Sequence, residues 1–227
     1  MPQVTLQKNL VKTTRYRFEG DDGDEIAWND AKIRYITQRC ADKRVLDLGC
    51  VQHDPNLRKS RFWLHKAIRA VAEHVTGVDL DEDGVRELQA AGYDIRVEDA
   101  QEFYLQEEFD VIVVGDLIEH LEDQHGFFHS CKRHMGPQSV ILISTPNPWF
   151  WRRGLEAFLG WNARINPEHT CWLCPQTLSQ LAARFGLEMT DLGYGSRDRG
   201  SSLLPLPRRW RHAFFYVTLM QSKSGSK

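Results

Sequence analysis

Apolar residues along the chain fall into short runs, each of which stops at a glycine or an acid, and helically spaced stretches separate the runs. The first run, Arg44 to Leu48, passes through Asp47 into Gly49-Cys50 and then turns polar at Gln52-His53-Asp54. Val75-Thr76-Gly77-Val78-Asp79 is a second strand, Tyr93 to Val97 a third, and Phe109 to Val114 a fourth that ends at Gly115-Asp116. The fourth run is almost continuously apolar, which predicts burial on both faces. Ser139 to Ser144 is a fifth strand, stopped by Thr145-Pro146-Asn147-Pro148, and Leu187 to Leu192 and Ala213 to Met220 are two more.

Helices fill the gaps. Ile26 to Cys40, with Ile33 and Ile36 on one side, is placed to cover the sheet edge or the mouth of a ligand site. Asp54-Pro55 starts a second helix whose face carries Leu57, Leu64, Ile68 and Val71, at steps of seven, four and three. Glu82 to Ala91 is closed by Gly92, Gly126 to Met135 ends in Gly136-Pro137, and Pro175 opens Gln176 to Phe185, capped by Gly186. Two stretches interrupt this order, near 149–174 and 194–211. Strands alternating with helices predict an α/β fold, a doubly wound, mainly parallel sheet whose ligand lies across the carboxyl ends of its strands. The expected organisation is a polar segment over 1–25, one domain over 26–221 and a disordered tail over 222–227.

Composition narrows the partners. Lys and Arg number 29 against 31 Asp and Glu, a formal net charge of −2, so no global field draws the chain to nucleic acid, and membrane association is at most peripheral. The cluster Asp21-Asp22-Gly23-Asp24-Glu25 lacks the spaced ligands of a calcium loop and is expected to be a solvated loop. Five cysteines, an odd number scattered through the chain, point to a reducing, cytoplasmic setting. Met1 to Lys12 lacks the apolar core of a signal peptide, and no apolar run is long enough to span a bilayer.

The strand ends carry the candidate chemistry. Asp47, Asp79, Asp99 and Asp116 line one edge of the predicted sheet, together with Gly49 and Gly115. A dinucleotide would need several glycines to seat its pyrophosphate at a helix N-terminus, and the first loop, Gly49 to His53, offers one. A phosphate-free cationic cofactor suits a row of carboxylates better, and S-adenosylmethionine carries both a sulfonium and an ammonium.

With these motifs in order, Val45-Leu46-Asp47-Leu48-Gly49-Cys50, Gly77-Val78-Asp79, Glu98-Asp99-Ala100 and Phe109-Asp110-Val111-Ile112, the chain resembles the class I S-adenosylmethionine-dependent methyltransferases over about residues 40 to 220. The resemblance implies a seven-stranded Rossmann-like sheet with the last strand antiparallel. It also implies cofactor contacts at Asp47, Gly49, Cys50, Asp79, Leu80, Asp99, Ala100, Gly115 and Asp116, with Asp79 on the ribose and Asp99-Ala100 on the adenine. One departure stands out: Val51 occupies the position where the family has its second glycine. That substitution implies a wider loop or a displaced cofactor.

Asp116-Leu117-Ile118-Glu119-His120-Leu121 places an acid, a glutamate and a histidine at i, i+3 and i+4, and His169 follows in Pro167-Glu168-His169. The pattern resembles that of the ubiquinone-pathway O-methyltransferases and small-RNA 2′-O-methyltransferases. It implies a divalent metal such as magnesium on Asp116, Glu119, His120 and His169, with Asp116 standing where those families have a glutamate. Without a metal, His120 or His169 is the candidate catalytic base. Glu119-His120 as a helix cap that holds the cofactor loop is the structural alternative.

The Cys171-Trp172-Leu173-Cys174 pair is expected to be packed cysteines, because a single CxxC does not make a zinc site. Trp149-Phe150-Trp151-Arg152-Arg153, followed by Leu155, Phe158, Leu159 and Trp161, and Leu203 to Arg211 mix bulky apolar residues with arginine. They could stack bases, hold an amphiphilic acceptor, lie on a membrane surface, or form a lid. The reading is methyl transfer to oxygen of a small, glycan or lipid-linked acceptor. RNA 2′-O-methylation and a non-catalytic cofactor-binding regulator stay open beside it, and the sequence leaves the oligomeric state unassigned.

Overall fold

The structure of the chain, a computed structural model, describes residues 25–52, 62–161, 166–195, 201 and 204–222, with 25–31 as backbone alone. The expected features at Asp21 to Asp24, His53, Asp54-Pro55, Leu57 and Leu203 and the tail from 223 lie outside the described residues.

Alternation of apolar residues on both faces of the central strands drives the architecture. In β1 (Arg44–Leu48) Val45 and Asp47 face one way and Leu46 and Leu48 the other. In β4 (Phe109–Gly115) Val111 and Val113 share the first face and Ile112 and Val114 the second, all buried as the continuous apolar run predicts. On the first face α1 (Glu25–Cys40) contributes Tyr35 and Ile36, and α2 (Leu64–Arg69) contributes Ile68. On the second, Phe127 and Phe128 of α4 (Gln124–Arg133) and Leu178 of α6 (Pro175–Ala183) close the larger core. Each of these fully buried apolar side chains stabilises the fold by about 1.5–3 kcal/mol, and Phe127→Ala would cost about 3–5 kcal/mol.

Seven strands form one sheet in the order β3-β2-β1-β4-β5-β7-β6. β2 (His74–Asp79), β3 (Ile95–Val97) and β5 (Met135–Pro146) join β1 and β4 in parallel, with α3 (Glu82–Ala90) between β2 and β3. β7 (Phe214–Gln221), the last in the chain, runs antiparallel to β5 and to β6 (Leu187–Gly195). The mainly parallel α/β sheet with an antiparallel last strand is therefore as expected. The carboxyl ends of β1, β2 and β4 gather Asp47, Asp79 and Asp116 along one edge.

Several boundaries differ from the pattern, each for a visible reason. Of the helix expected from Asp54 through Val71, the described part begins only at Leu64, because Trp63 is extended and its buried indole Nε1 donates 2.9 Å to the Cys50 carbonyl. Val71 lies past the end of α2 and is exposed. Tyr93 precedes β3 and packs its ring 5.1 Å from Trp63. α4 starts two residues early because the Asp123 carboxylate caps it, accepting from the His125 and Gly126 amides. Gly136-Pro137 ends no helix but falls inside β5, where the register with β4 shifts and Ser139 bridges the irregularity from the Gly136 amide to the Phe109 carbonyl. β6 runs on past Leu192 to Gly195 because Gly193, Tyr194 and Gly195 pair with Tyr216, Phe215 and Phe214 of β7, with Tyr216 so close over Gly193 that a Cβ there would come within 2.0 Å of its ring.

α1 is pinned across the sheet by Tyr35 Oη on Thr218 Oγ1 at 2.7 Å and Arg39 on Asp191 at 2.9 Å. It thereby reaches the carboxyl edge at Lys32.

Candidate functional site

The cofactor side is built from the loops after β1, β2 and β4. Gly49 turns the chain at φ +70°, a left-handed conformation that favours glycine. The next two residues fold inward: Cys50 and Val51 are buried with Trp63, Val85, Leu88 and Ile95. Val51 also donates its amide to Asp79 Oδ2 at 2.8 Å. The missing second glycine thus leaves a valine that is a core residue, with its backbone tied to the next strand end. Asp79 Oδ1 accepts from the Asp81 amide at 3.0 Å, so this half-buried carboxylate organises both loops, and its remaining lone pairs can accept two ribose hydroxyls. Leu80 beside it is 64% exposed, an apolar surface at the cleft edge. Asp99 holds its own turn through the Gln101 amide at 2.8 Å, with Ala100 buried behind it.

The other two acids, Asp47 and Asp116, are engaged by side chains distant in the chain. Asp47, 2% exposed, points to α2, and His65 Nδ1 lies 2.9 Å from its Oδ2. Cys50 and His65 crowd Gly77 so closely that a Cβ there would come within 2.6 Å of the Cys50 sulfur, and β2 passes here only as glycine. Asp116 sits at φ +54°, where its Oδ2 accepts from Lys32 Nζ at 2.5 Å and its Oδ1 from Ser144 Oγ at 2.8 Å. The field at this edge is thus weaker than four bare carboxylates would make it.

Beyond Asp116 the chain makes a single 3-10 turn, Ile118 to His120, instead of the helix that would stack Asp116, Glu119 and His120 on one face. The turn still directs Glu119 inward, where its Oε2 accepts from the buried Thr145 Oγ1 at 2.9 Å. Glu119 Oε1 is buried and has no hydrogen-bond partner among the described residues. The segment with His169 is clipped to this turn by backbone, since the Thr170 and Cys171 amides both donate to the Glu119 carbonyl. Consequently His169 Nε2 lies 4.0 Å from Glu119 Oε1, and the His120 and His169 rings meet edge to face with centroids 4.7 Å apart. One ligand atom from each of Glu119, His120 and His169 falls within 4.8 Å of the others. Asp116 is not in this group.

Burial, with Asp116 nearby, pushes the Glu119 carboxyl up to about 8. Burial, with His120 and Arg153 nearby, holds the His169 imidazole below its usual range. A buried carboxylate oxygen with no donor between two imidazoles is a set that fits a divalent cation.

Sequence reasoning gave no site role to Lys32, His65, Ser144 or Thr145, because each acts through a partner distant in the chain. The single available signal was the Ser144-Thr145 pair at the end of a strand, beside the Pro146-Asn147 turn. Cys171 and Cys174 are both free thiols, and Cys174 precedes α6, where its amide donates to Thr177 Oγ1 at 2.9 Å.

A family described as methyltransferase domain matches residues 25–192. The chain is 34% identical over 159 residues to a protein of Mycolicibacterium smegmatis named probable S-adenosylmethionine-dependent methyltransferase, covering 69% of this chain and 56% of that one. It is 28% identical to a ubiquinone biosynthesis O-methyltransferase of Aromatoleum aromaticum, over 72% of this chain and 73% of the relative. In fold it is similar to the crystal structure of a SAM-dependent methyltransferase from Archaeoglobus fulgidus, with a TM-score of 0.63, 18% identity, and coverage of 87% of this chain and 94% of that one. The chain spans little more than half the length of the Mycolicibacterium relative. With the ordered strand-end motifs and the seven-stranded sheet, these matches show that the chain belongs to the methyltransferase domain family, on the class I fold of enzymes that use S-adenosylmethionine.

Proposed function

We propose that the chain transfers the methyl group of S-adenosylmethionine to an oxygen of a small, glycan or lipid-linked acceptor. The observation that carries this reading is the buried Glu119 Oε1, without a hydrogen-bond partner among the described residues and facing His169 Nε2, at the edge where the cofactor loops end. Gly49, Asp79, Leu80, Asp99 and Ala100 hold the cofactor, Asp79 by the ribose hydroxyls. Asp47 acts one step back, fixing the first loop through His65. Asp116 and Lys32 shape the methionine side without joining the histidine cluster.

Transfer is an in-line displacement. An acceptor oxygen lone pair forms the O–C bond, the C–S bond breaks, its electron pair stays on sulfur, and S-adenosylhomocysteine leaves. Where no metal is held, the hydroxyl proton passes to the imidazole of His169, whose segment the Thr170 and Cys171 amides clip to the Glu119 carbonyl and whose ring meets that of Trp172 edge-on at 6.3 Å. A divalent cation on Glu119, His120 and His169 would supply Lewis-acid polarisation of the acceptor oxygen. Two imidazoles and one carboxylate suit a transition ion better than magnesium, which prefers oxygen ligands. The similarity to an O-methyltransferase of ubiquinone biosynthesis supports oxygen as the acceptor atom.

The test is incubation with methyl-labelled S-adenosylmethionine and fractionated cell extract, with chelator and with manganese or magnesium added back. Label in an ether or ester of a glycan, lipid or small-molecule fraction supports the reading, and loss of transfer with chelator assigns the metal. Label found on nitrogen or in RNA overturns it.

A further inference from the structure

We propose that α5 (Trp151–Phe158), Leu159 and Trp161 just after it, and α7 (Arg208–Arg211) form a docking surface for an anionic lipid bilayer. A surface helix of a water-soluble fold turns its apolar stripe inward and its charges outward. α5 does the reverse. Trp151, Leu155, Phe158 and Leu159 recur at helical spacing on one side; Trp151 anchors that side through its indole on Ser201 Oγ at 2.9 Å, while Leu155, Phe158 and Leu159 are exposed, Phe158 at 86%. The polar side is the one that meets the protein: Arg153 Nε donates to the Asn147 carbonyl, and its guanidinium lies 4.2 Å over the Trp172 ring. Trp161, 65% exposed, extends the apolar surface beyond the helix.

The second half of the surface is tied to the root of the first through Asn147. Asn147, fully buried at the end of β5, donates through Nδ2 to the Arg209 and His212 carbonyls at 2.6 and 2.7 Å and accepts the Trp149 amide at 3.0 Å. α7 thus presents exposed Arg208, Arg209 and Trp210 beside the root of α5. Three arginines in α7 and two in α5, against the one acid Glu156, make this region cationic on a chain whose net charge is −2. Exposed aliphatic and aromatic side chains flanked by arginine match a bilayer interface, where rings sit at the headgroup level and cations meet anionic lipid. No described helix is long and apolar enough to cross a membrane, so the association is with the surface. This inference goes beyond the proposed reaction and holds whatever the acceptor is.

The test is co-sedimentation of the full chain with vesicles of phosphatidylcholine alone or enriched in phosphatidylglycerol, without cofactor or acceptor. The expected result is binding to the anionic vesicles, weakened by added salt. Phe158→Glu with Leu159→Glu, and separately Arg208→Gln with Arg209→Gln, should each reduce partitioning about tenfold or more, with the circular dichroism spectrum unchanged. Wild-type protein that ignores anionic vesicles, or variants that bind as well as wild type, would overturn the proposal. So would light scattering that shows a dimer through α5, dispersed by Phe158→Glu.

Discussion

Lys32 Nζ lies 2.5 Å from Asp116 Oδ2, so a residue of the first helix clamps the residue that follows β4. Asp116 holds a left-handed conformation, and Ser144 Oγ fills its other oxygen. The pair is only partly exposed, with Lys32 the more buried partner, so it is a stronger ion pair than a surface one. A double-mutant cycle of Lys32→Met and Asp116→Asn, read by chemical denaturation, should give a coupling of about 1–2 kcal/mol. A coupling near zero would mean that solvent screens the pair and that Asp116 is not held by it.

Val51 stands where a glycine was expected to admit the cofactor, and it is a buried member of the cluster around Trp63 and Ile95. Restoring the family residue should therefore harm the protein. Val51→Gly is expected to cost about 2–4 kcal/mol of stability from lost packing and added chain entropy. Titration calorimetry should find S-adenosylmethionine bound no more tightly than by the wild type.

Among the described residues, His65 is the side chain that hydrogen-bonds buried Asp47, with Nδ1 2.9 Å from Oδ2. His65→Leu leaves a carboxylate in the core with no donor and should destabilise by about 3–5 kcal/mol. Leucine at 65 together with Asp47→Asn should recover part of that loss, since an amide is less costly to bury than a charge. Equal stability of the single and double variants would contradict this assignment.

His134 gives the stability a pH dependence. It is fully buried against Phe103, with Nδ1 2.6 Å from the Ser130 carbonyl and Nε2 accepting from the Leu105 amide at 2.9 Å. That arrangement needs a neutral ring with the proton on Nδ1, and burial lowers the pKa of the imidazole. Because the folded value lies below the unfolded one, the contribution is complete above the unfolded pKa, about 6.5, and is lost as pH falls through the folded value. Melting temperature should drop with acidification in that window, less steeply in His134→Gln.

The strands and the candidate edge were legible because periodicity records burial, and Val111 to Val114 or Leu46 to Leu48 are buried for the reason their pattern states. Motif spacing placed Glu119, His120 and His169, which the fold brings together. What the sequence concealed was long-range pairing. Nothing local says that Lys32 neutralises Asp116, that His65 occupies Asp47, or that Thr145 orients Glu119. The start of α2 at Leu64 was hidden for the same reason: Trp63 is extended while its indole bonds the Cys50 carbonyl, a tertiary contact that overrides local spacing.

The most direct measurement is a paired one on His169→Ala, comparing methyl transfer to a hydroxyl acceptor with S-adenosylmethionine affinity measured by calorimetry. His169 lies in the cluster with Glu119 and His120, and none of the cofactor loops includes it. The expected result is cofactor affinity within about threefold of wild type and a loss of kcat of about 100-fold or more, the range for removing an acid–base group. Turnover retained at the wild-type rate, with the cofactor still bound, would contradict the assignment of this cluster to the reaction.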